Sequence, residues 1–131
     1  MSAPQFRFVT LPSALRGTPA GWAREMLDDG EIALLASEGL EPINELAHEL
    51  GQSAITVVRS EPTPAEQDQA VIEHARSMPL IWVAGEFSEQ AQTWARARGP
   101  MTLLVQTSEP LSDAERRRID RFVASLEPQS E

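Results

Sequence analysis

Four glutamates stand in turn-like settings at a near-regular interval: Ser37-Glu38-Gly39, Ser60-Glu61-Pro62, Gly85-Glu86-Phe87 and Ser108-Glu109-Pro110. Carboxylates gathered at one edge of a fold suit a hard divalent cation such as Mg²⁺, general-base chemistry, or a cationic partner. Glu38, Glu61, Glu86 and Glu109 also have a plainer reading. A glutamate in the first turn of a helix interacts favourably with the helix dipole, and Ser, Pro and Gly are ordinary turn residues.

Two histidines complete the acid–base inventory. His48 falls opposite the apolar stripe of its helix, so a solvated side chain is expected; His74 borders the stripe of the next one. Neither has an Asp or Ser at a recognised catalytic spacing. The basic residues number 11, all arginine, and one run clusters: Arg116, Arg117 and Arg118, with Arg121. Interleaved with Asp113, Glu115 and Asp120 at helical spacing, the run reads as a solvated face or as a docking patch for an acidic protein partner.

Much chemistry is excluded outright. With no cysteine there are no disulfides, thiolate zinc sites, iron–sulfur clusters or cysteine nucleophiles. With no lysine there is no phosphate-loop lysine, Schiff base or common nuclease triplet, and tyrosine is absent as well. A formal charge of −9 opposes a phosphate backbone, so no nucleic-acid partner is expected. No cofactor is called for either: the turn 12–18 holds one glycine where a dinucleotide fingerprint needs three. Arg16 and the helix start near Thr18 offer one resting place for a phosphate, although hydroxyl residues there ordinarily act as caps.

Hydrophobic content of 41% and charged content of 24% are ordinary for a globular chain, and no apolar run approaches the ~20 residues a membrane span needs. Residues 1–11 lack the basic start and long apolar core of a signal peptide, which leads to the expectation of a cytoplasmic protein.

The elements that must position these groups alternate. Strand-like runs at 6–11, 32–36, 54–59, 80–84 and 102–106 recur roughly every 22 to 26 residues, each followed by a helical pattern. Apolar stripes mark five helices: Trp22, Met26 and Leu27; Ile43, Leu46 and Leu50; Val71, Ile72, Ala75 and Met78; Ala91, Trp94 and Ala95; Ile119, Phe122, Val123 and Leu126. Thr18-Pro19, Glu41-Pro42 and Thr63-Pro64 mark helix starts, and Thr63…Glu66 and Ser112…Glu115 have capping-box spacing. Gly30, Gly51 and Gly99 mark helix ends. The runs Ile55-Thr56-Val57-Val58 and Leu80-Ile81-Trp82-Val83 imply burial on both faces, as in a parallel sheet covered by helices. The 32–36 segment alone could also read as helix. Trp22, Trp82 and Trp94 sit in apolar settings and read as core, with an exposed one able to anchor an interface.

The 131 residues therefore predict one α/β domain, 1–131, with 127–131 a frayed tail. Its architecture is a three-layer, mostly parallel, doubly wound Rossmann-like sheet of about five strands, with the flavodoxin-like order 2-1-3-4-5 as first choice. In such sheets ligands bind beyond the carboxyl ends of the strands, where the four glutamates fall.

In architecture the chain resembles the receiver domains of two-component signalling. That resemblance implies a phosphoacceptor aspartate after strand three, where Arg59 and Ser60 stand. It implies an acidic pair after strand one, where Leu11-Pro12-Ser13 stand, and a Ser or Thr after strand four, where Ala84 and Gly85 stand. A lysine is implied after strand five, where Gln106-Thr107 stand. A receiver relative of this sequence is degenerate and runs no aspartyl-phosphate chemistry. Locally, Ile81-Trp82-Val83-Ala84-Gly85-Glu86-Phe87-Ser88 with Ala91, Trp94 and Ala95 is similar to the final strand and helix of Mrr-like restriction nucleases. The acid and Gln/Glu-x-Lys of that family are absent at Ile32-Ala33-Leu34 and at Val57-Val58-Arg59.

The function these readings lead to is a non-catalytic regulatory or adaptor domain acting through protein contacts, with a homo-oligomer compatible. Its candidate surfaces are the glutamate-bearing strand ends and the arginine face of the last helix. The alternatives are a small-molecule or divalent-metal-dependent activity at the strand ends, or an inactive nuclease-like scaffold.

Overall fold

A computed structural model describes residues 5–52, 55–107 and 109–126. Its five strands are β1 (Phe6–Thr10), β2 (Gly30–Leu35), β3 (Thr56–Val58), β4 (Leu80–Ala84) and β5 (Thr102–Gln106). The helices are α1 (Pro12–Leu15), α2 (Ala20–Asp29), α3 (Leu40–Glu49), α4 (Pro64–Ala75), α5 (Glu89–Arg98) and α6 (Asp113–Leu126). The α/β class and the single parallel sheet are as expected, and the 32–36 segment is strand through Leu35, with Ala36 opening a short 3-10 turn. Ala54, Ser108 and the 127–131 tail lie outside the described residues.

The strand order departs from the expectation. It is β3-β2-β1-β4-β5, all parallel, rather than 2-1-3-4-5, so β1 lies between β2 and β4. Two features put β3 at the edge. It carries only three ladder residues, and Val57 is 37% exposed, which corrects the reading of this strand as buried on both faces. An inner strand must serve two neighbours and turn apolar side chains to both layers; β1, β2 and β4 do so. The order is that of the first five strands of the Rossmann-type sheet, with its switch point between β1 and β4.

Side chains of opposite parity build two cores. On one face Phe6, Phe8, Ile32, Leu34, Ile81, Val83 and Val105 pack with residues of α1, α2, α3 and α6; on the other, Val9, Ala33, Leu35, Val58, Leu80 and Trp82 pack with α4 and α5. Gly30 is required at the start of β2, because a Cβ there would sit 2.3 Å from the Phe6 ring. Helix starts follow local chemistry. Thr63 Oγ1 accepts from Glu66 N at 3.2 Å, Ser88 Oγ from Ala91 N at 3.0 Å, and Ser112 and Glu115 complete a reciprocal box at 3.2 and 2.9 Å. Thr18 behaves differently: its hydroxyl donates to Leu15 O, Pro19 takes the cap position, and Arg16 pairs with Glu45 at 3.2 Å. The phosphate place suggested by Thr18 and Arg16 is thereby spent on internal contacts.

Candidate functional site

At the carboxyl edge of the sheet the four glutamates follow β3, β2, β4 and β5, with the end of β1 between the second and third. Adjacent strands lie ~4.8 Å apart, so Glu61 and Glu109 are separated by about 19 Å of sheet. They do not converge. Among the described residues no group of three or more His, Asp or Glu side chains is placed to hold a metal ion. Glu38 serves the fold instead, since its Oε1 and Oε2 accept from Ser13 N (3.1 Å) and Ser13 Oγ (2.7 Å), tying the first turn of α1 to the end of β2. At Glu61 and Glu109 the backbone N–H groups are held, by Gln67 Oε1 at 3.0 Å and Thr107 Oγ1 at 3.2 Å.

The switch point itself is filled. After β1 the chain folds at once into α1, whose Pro12, Ala14 and Leu15 are buried. From β5 the chain returns across the end of β4, where Thr107 N donates to Ala84 O at 2.9 Å, and reaches α1, where Leu111 N donates to Ala14 O at 2.9 Å. Leu111 is 4% exposed. The place where a doubly wound sheet ordinarily takes its ligand is thus occupied by apolar side chains of the protein itself.

A polar site lies elsewhere, along the flank of β3 beneath α4. Arg7 on β1 and Glu31 on β2 are register partners, and both point to the α4 side. Glu31 Oε1 accepts from Arg7 Nη1 at 2.9 Å and meets His74 Nε2 of α4 at 3.1 Å; Arg7 Nη1 also lies 3.4 Å from that nitrogen. One carboxylate oxygen therefore positions a guanidinium and an imidazole together. The three side chains adjoin an open groove of about 480 Å³ over Val57 and Val58, whose polar lining is Arg7, Arg59, Glu61, Glu73, His74 and Arg76. Because α4 runs back from the carboxyl edge, Arg76 and His74 stand at the amino-edge end with Arg7, while Arg59 and Glu61 stand at the other.

Arg76 carries a backbone signature. It is the one non-glycine residue with positive φ among the described residues, at φ 53° and ψ −128°. Such a conformation costs a residue with a Cβ roughly 1–3 kcal/mol. A basic side chain at a helix C-terminus recovers only about 0.3–1 kcal/mol from the dipole, and any position in the last turn would supply that without strain.

The arginine run falls on α6 as expected. Arg117, Arg118 and Arg121 are exposed, whereas Arg116 is half-buried and paired with Asp113. Asp120 accepts from Trp22 Nε1 at 2.8 Å, docking α6 on α2. His48 is exposed, and Trp82 is core. Arg98, stacked 4.7 Å over the Trp94 ring and donating to Met78 O, has its pKa lowered by burial.

Sequence reasoning singled out His74 but not Arg7 or Glu31. The signal present was a charge inside each of two apolar strands, Phe6-Arg7-Phe8 and Gly30-Glu31-Ile32; the signal missing was their register. Comparison with protein-family models, with curated proteins and with solved structures finds no match to this chain.

Proposed function

We propose that this protein is a non-catalytic regulatory or adaptor domain that acts through protein contacts. The observation behind the reading is the filled carboxyl edge, where α1 and Leu111 stand in the place of a ligand. An α/β sheet that closes its own switch-point crevice keeps the scaffold and gives up the usual small-molecule site. The docking surface this reading names is the outer face of α6. There Arg117, Arg118 and Arg121 present three exposed guanidinium groups on a chain of net charge −9. Arginine is enriched at interfaces because its planar fork pairs bidentately with carboxylates, so the partner is an acidic protein segment.

The test is affinity capture from native lysate with wild-type protein and an Arg117→Glu, Arg118→Glu variant. Both side chains are exposed, so the variant should unfold within ~0.5 kcal/mol of wild type. An acidic protein retained by wild type and lost from the variant supports the reading. Equal retention removes the α6 surface from it, and the absence of any specific partner removes the adaptor role.

A further inference from the structure

Helices α4 and α5 end in the same way, with φ 53°, ψ −128° at Arg76 and φ 63°, ψ −130° at Gly99. In each, the cap N–H returns to a carbonyl of the last turn, Ile72 O or Arg96 O. The N–H returns four residues at Arg76 and three at Gly99, yet the cap conformation is shared, once with the residue that accepts it freely and once with arginine. An arginine held in a glycine conformation implies a role for its side chain, and that side chain borders the groove containing Arg7, His74 and Arg59.

We propose that the amino-edge end of this groove binds an oxyanion, the phosphate or carboxylate group of a small ligand, through Arg76 and Arg7 with His74 beside them. Among the described residues no carboxylate lies within ion-pair distance of Arg76 or Arg59, so both guanidinium groups keep their donors for a ligand. Arg7 and His74 are held in place by Glu31 before any ligand arrives, and Arg7 Nε has no acceptor. Preorganised donors of this kind bind anions without the ordering cost of long side chains.

The acidic residues of the groove define the ligand further. Glu31 is committed to Arg7 and His74, and Glu73 accepts from Gln69 Nε2 at 3.2 Å one turn back along α4. Glu61 stands at the opposite end, after β3. With these carboxylates along the walls and −9 on the chain, a polyanion is repelled, and a single compact anionic group at the Arg76 end is accommodated. The site lies on the α4 face of the sheet and α6 on the other, so it does not rest on the adaptor reading.

The experiment is a ¹H–¹⁵N NMR titration of the full chain at constant ionic strength with inorganic phosphate in one arm and acetate in the other. Saturable shifts are expected at the amides of Arg7, His74 and Arg76. Binding should weaken about ten-fold or more in Arg76→Gly, the loss of one charge-assisted contact. Arg96→Gln, which removes an exposed charge from α5, should bind as wild type does. Arg76→Gly relieves the backbone while it removes the guanidinium, so its lost binding cannot be ascribed to unfolding. The arm with the tighter saturable binding identifies the group. No saturable shift with either anion, full binding by Arg76→Gly, or an equal loss in Arg96→Gln overturns the proposal.

Discussion

Replacing Arg76 by glycine should stabilise the protein, although it deletes a charged side chain and adds the most flexible residue. Relief of the φ 53°, ψ −128° conformation returns roughly 1–3 kcal/mol. Against that, glycine's greater freedom in the unfolded chain costs about 0.5–1 kcal/mol. Loss of the guanidinium from the end of α4 costs about 0.3 kcal/mol, the low end of the dipole range, because Arg76 is exposed. The balance runs from about −0.3 to +2.2 kcal/mol and centres on a gain of about 1 kcal/mol, which for a domain of this size raises Tm by about 3–4 °C. Urea unfolding is the assay, with the midpoint rising and the m-value unchanged. Arg76→Ala separates the contributions, since it keeps the strain and loses only the side chain; it should be no more stable than wild type. Gly99→Ala supplies the mirror image: its Cβ would meet nothing within 4 Å, so a loss of about 1 kcal/mol would come from backbone strain alone. A loss of ~1 kcal/mol or more in Arg76→Gly would refute the reasoning, because it would mean that the guanidinium holds the fold together.

Other perturbations have outcomes fixed by the packing. Gly30→Ala drives a methyl into the buried Phe6 ring at 2.3 Å and should cost about 2–3 kcal/mol by overpacking, read as a lower urea midpoint. Ser88→Ala removes the cap of α5 and the hydroxyl that donates to Asp68, a carboxylate 8% exposed. A loss of about 1–2 kcal/mol is expected, together with faster amide exchange in the first turn of α5. Glu31→Gln leaves Arg7 and His74 without their shared carboxylate. With Arg7 and Glu31 side chains 21% and 30% exposed, screening holds the cost to about 1 kcal/mol, and the His74 ring signals should broaden as the imidazole loses its anchor.

What the sequence revealed and what it hid follow from the range of the interactions. The segments at 80–84 and 102–106 were legible because apolar β-branched and aromatic residues end abruptly at turn residues, and the capping boxes at Thr63 and Ser112 were legible because their chemistry is complete within four residues. The Gly30–Leu35 strand was ambiguous, since Glu-Ile-Ala-Leu-Leu satisfies a helix as well; pairing with β1 on one side and β3 on the other decides it. Strand order was illegible for the same reason, as a crossover helix of one length can reach several positions. Only the short ladder of β3 and the exposure of Val57 mark it as an edge. At the candidate site, the regular glutamates were conspicuous but lie apart, whereas Arg7 and Glu31, far apart in sequence, are brought together by register alone.

The groove is itself a consequence of the strand order. Five strands at ~4.8 Å give a sheet about 24 Å wide, and helices pack side by side at roughly 8–10 Å. Among the described residues, the face bearing Phe8 and Ile81 receives α2, α3 and α6 along with α1, and the opposite face receives α4 and α5. In a 2-1-3-4-5 sheet α4 would link neighbouring strands and cover them. Here it carries the chain from edge strand β3 to β4, packing on the buried Val58, and the groove runs beside it along the outer edge of β3. Apolar residues at the exposed start of that face would meet water, and the chain has Arg7 and Glu31 there, bonded to each other and to His74. The same crossover ends beside them at Arg76. A topology that fills the carboxyl edge and puts β3 at the side of the sheet thus places Arg7, Glu31, His74 and Arg76 together at the opposite end of the sheet from the one where sequence reasoning looked.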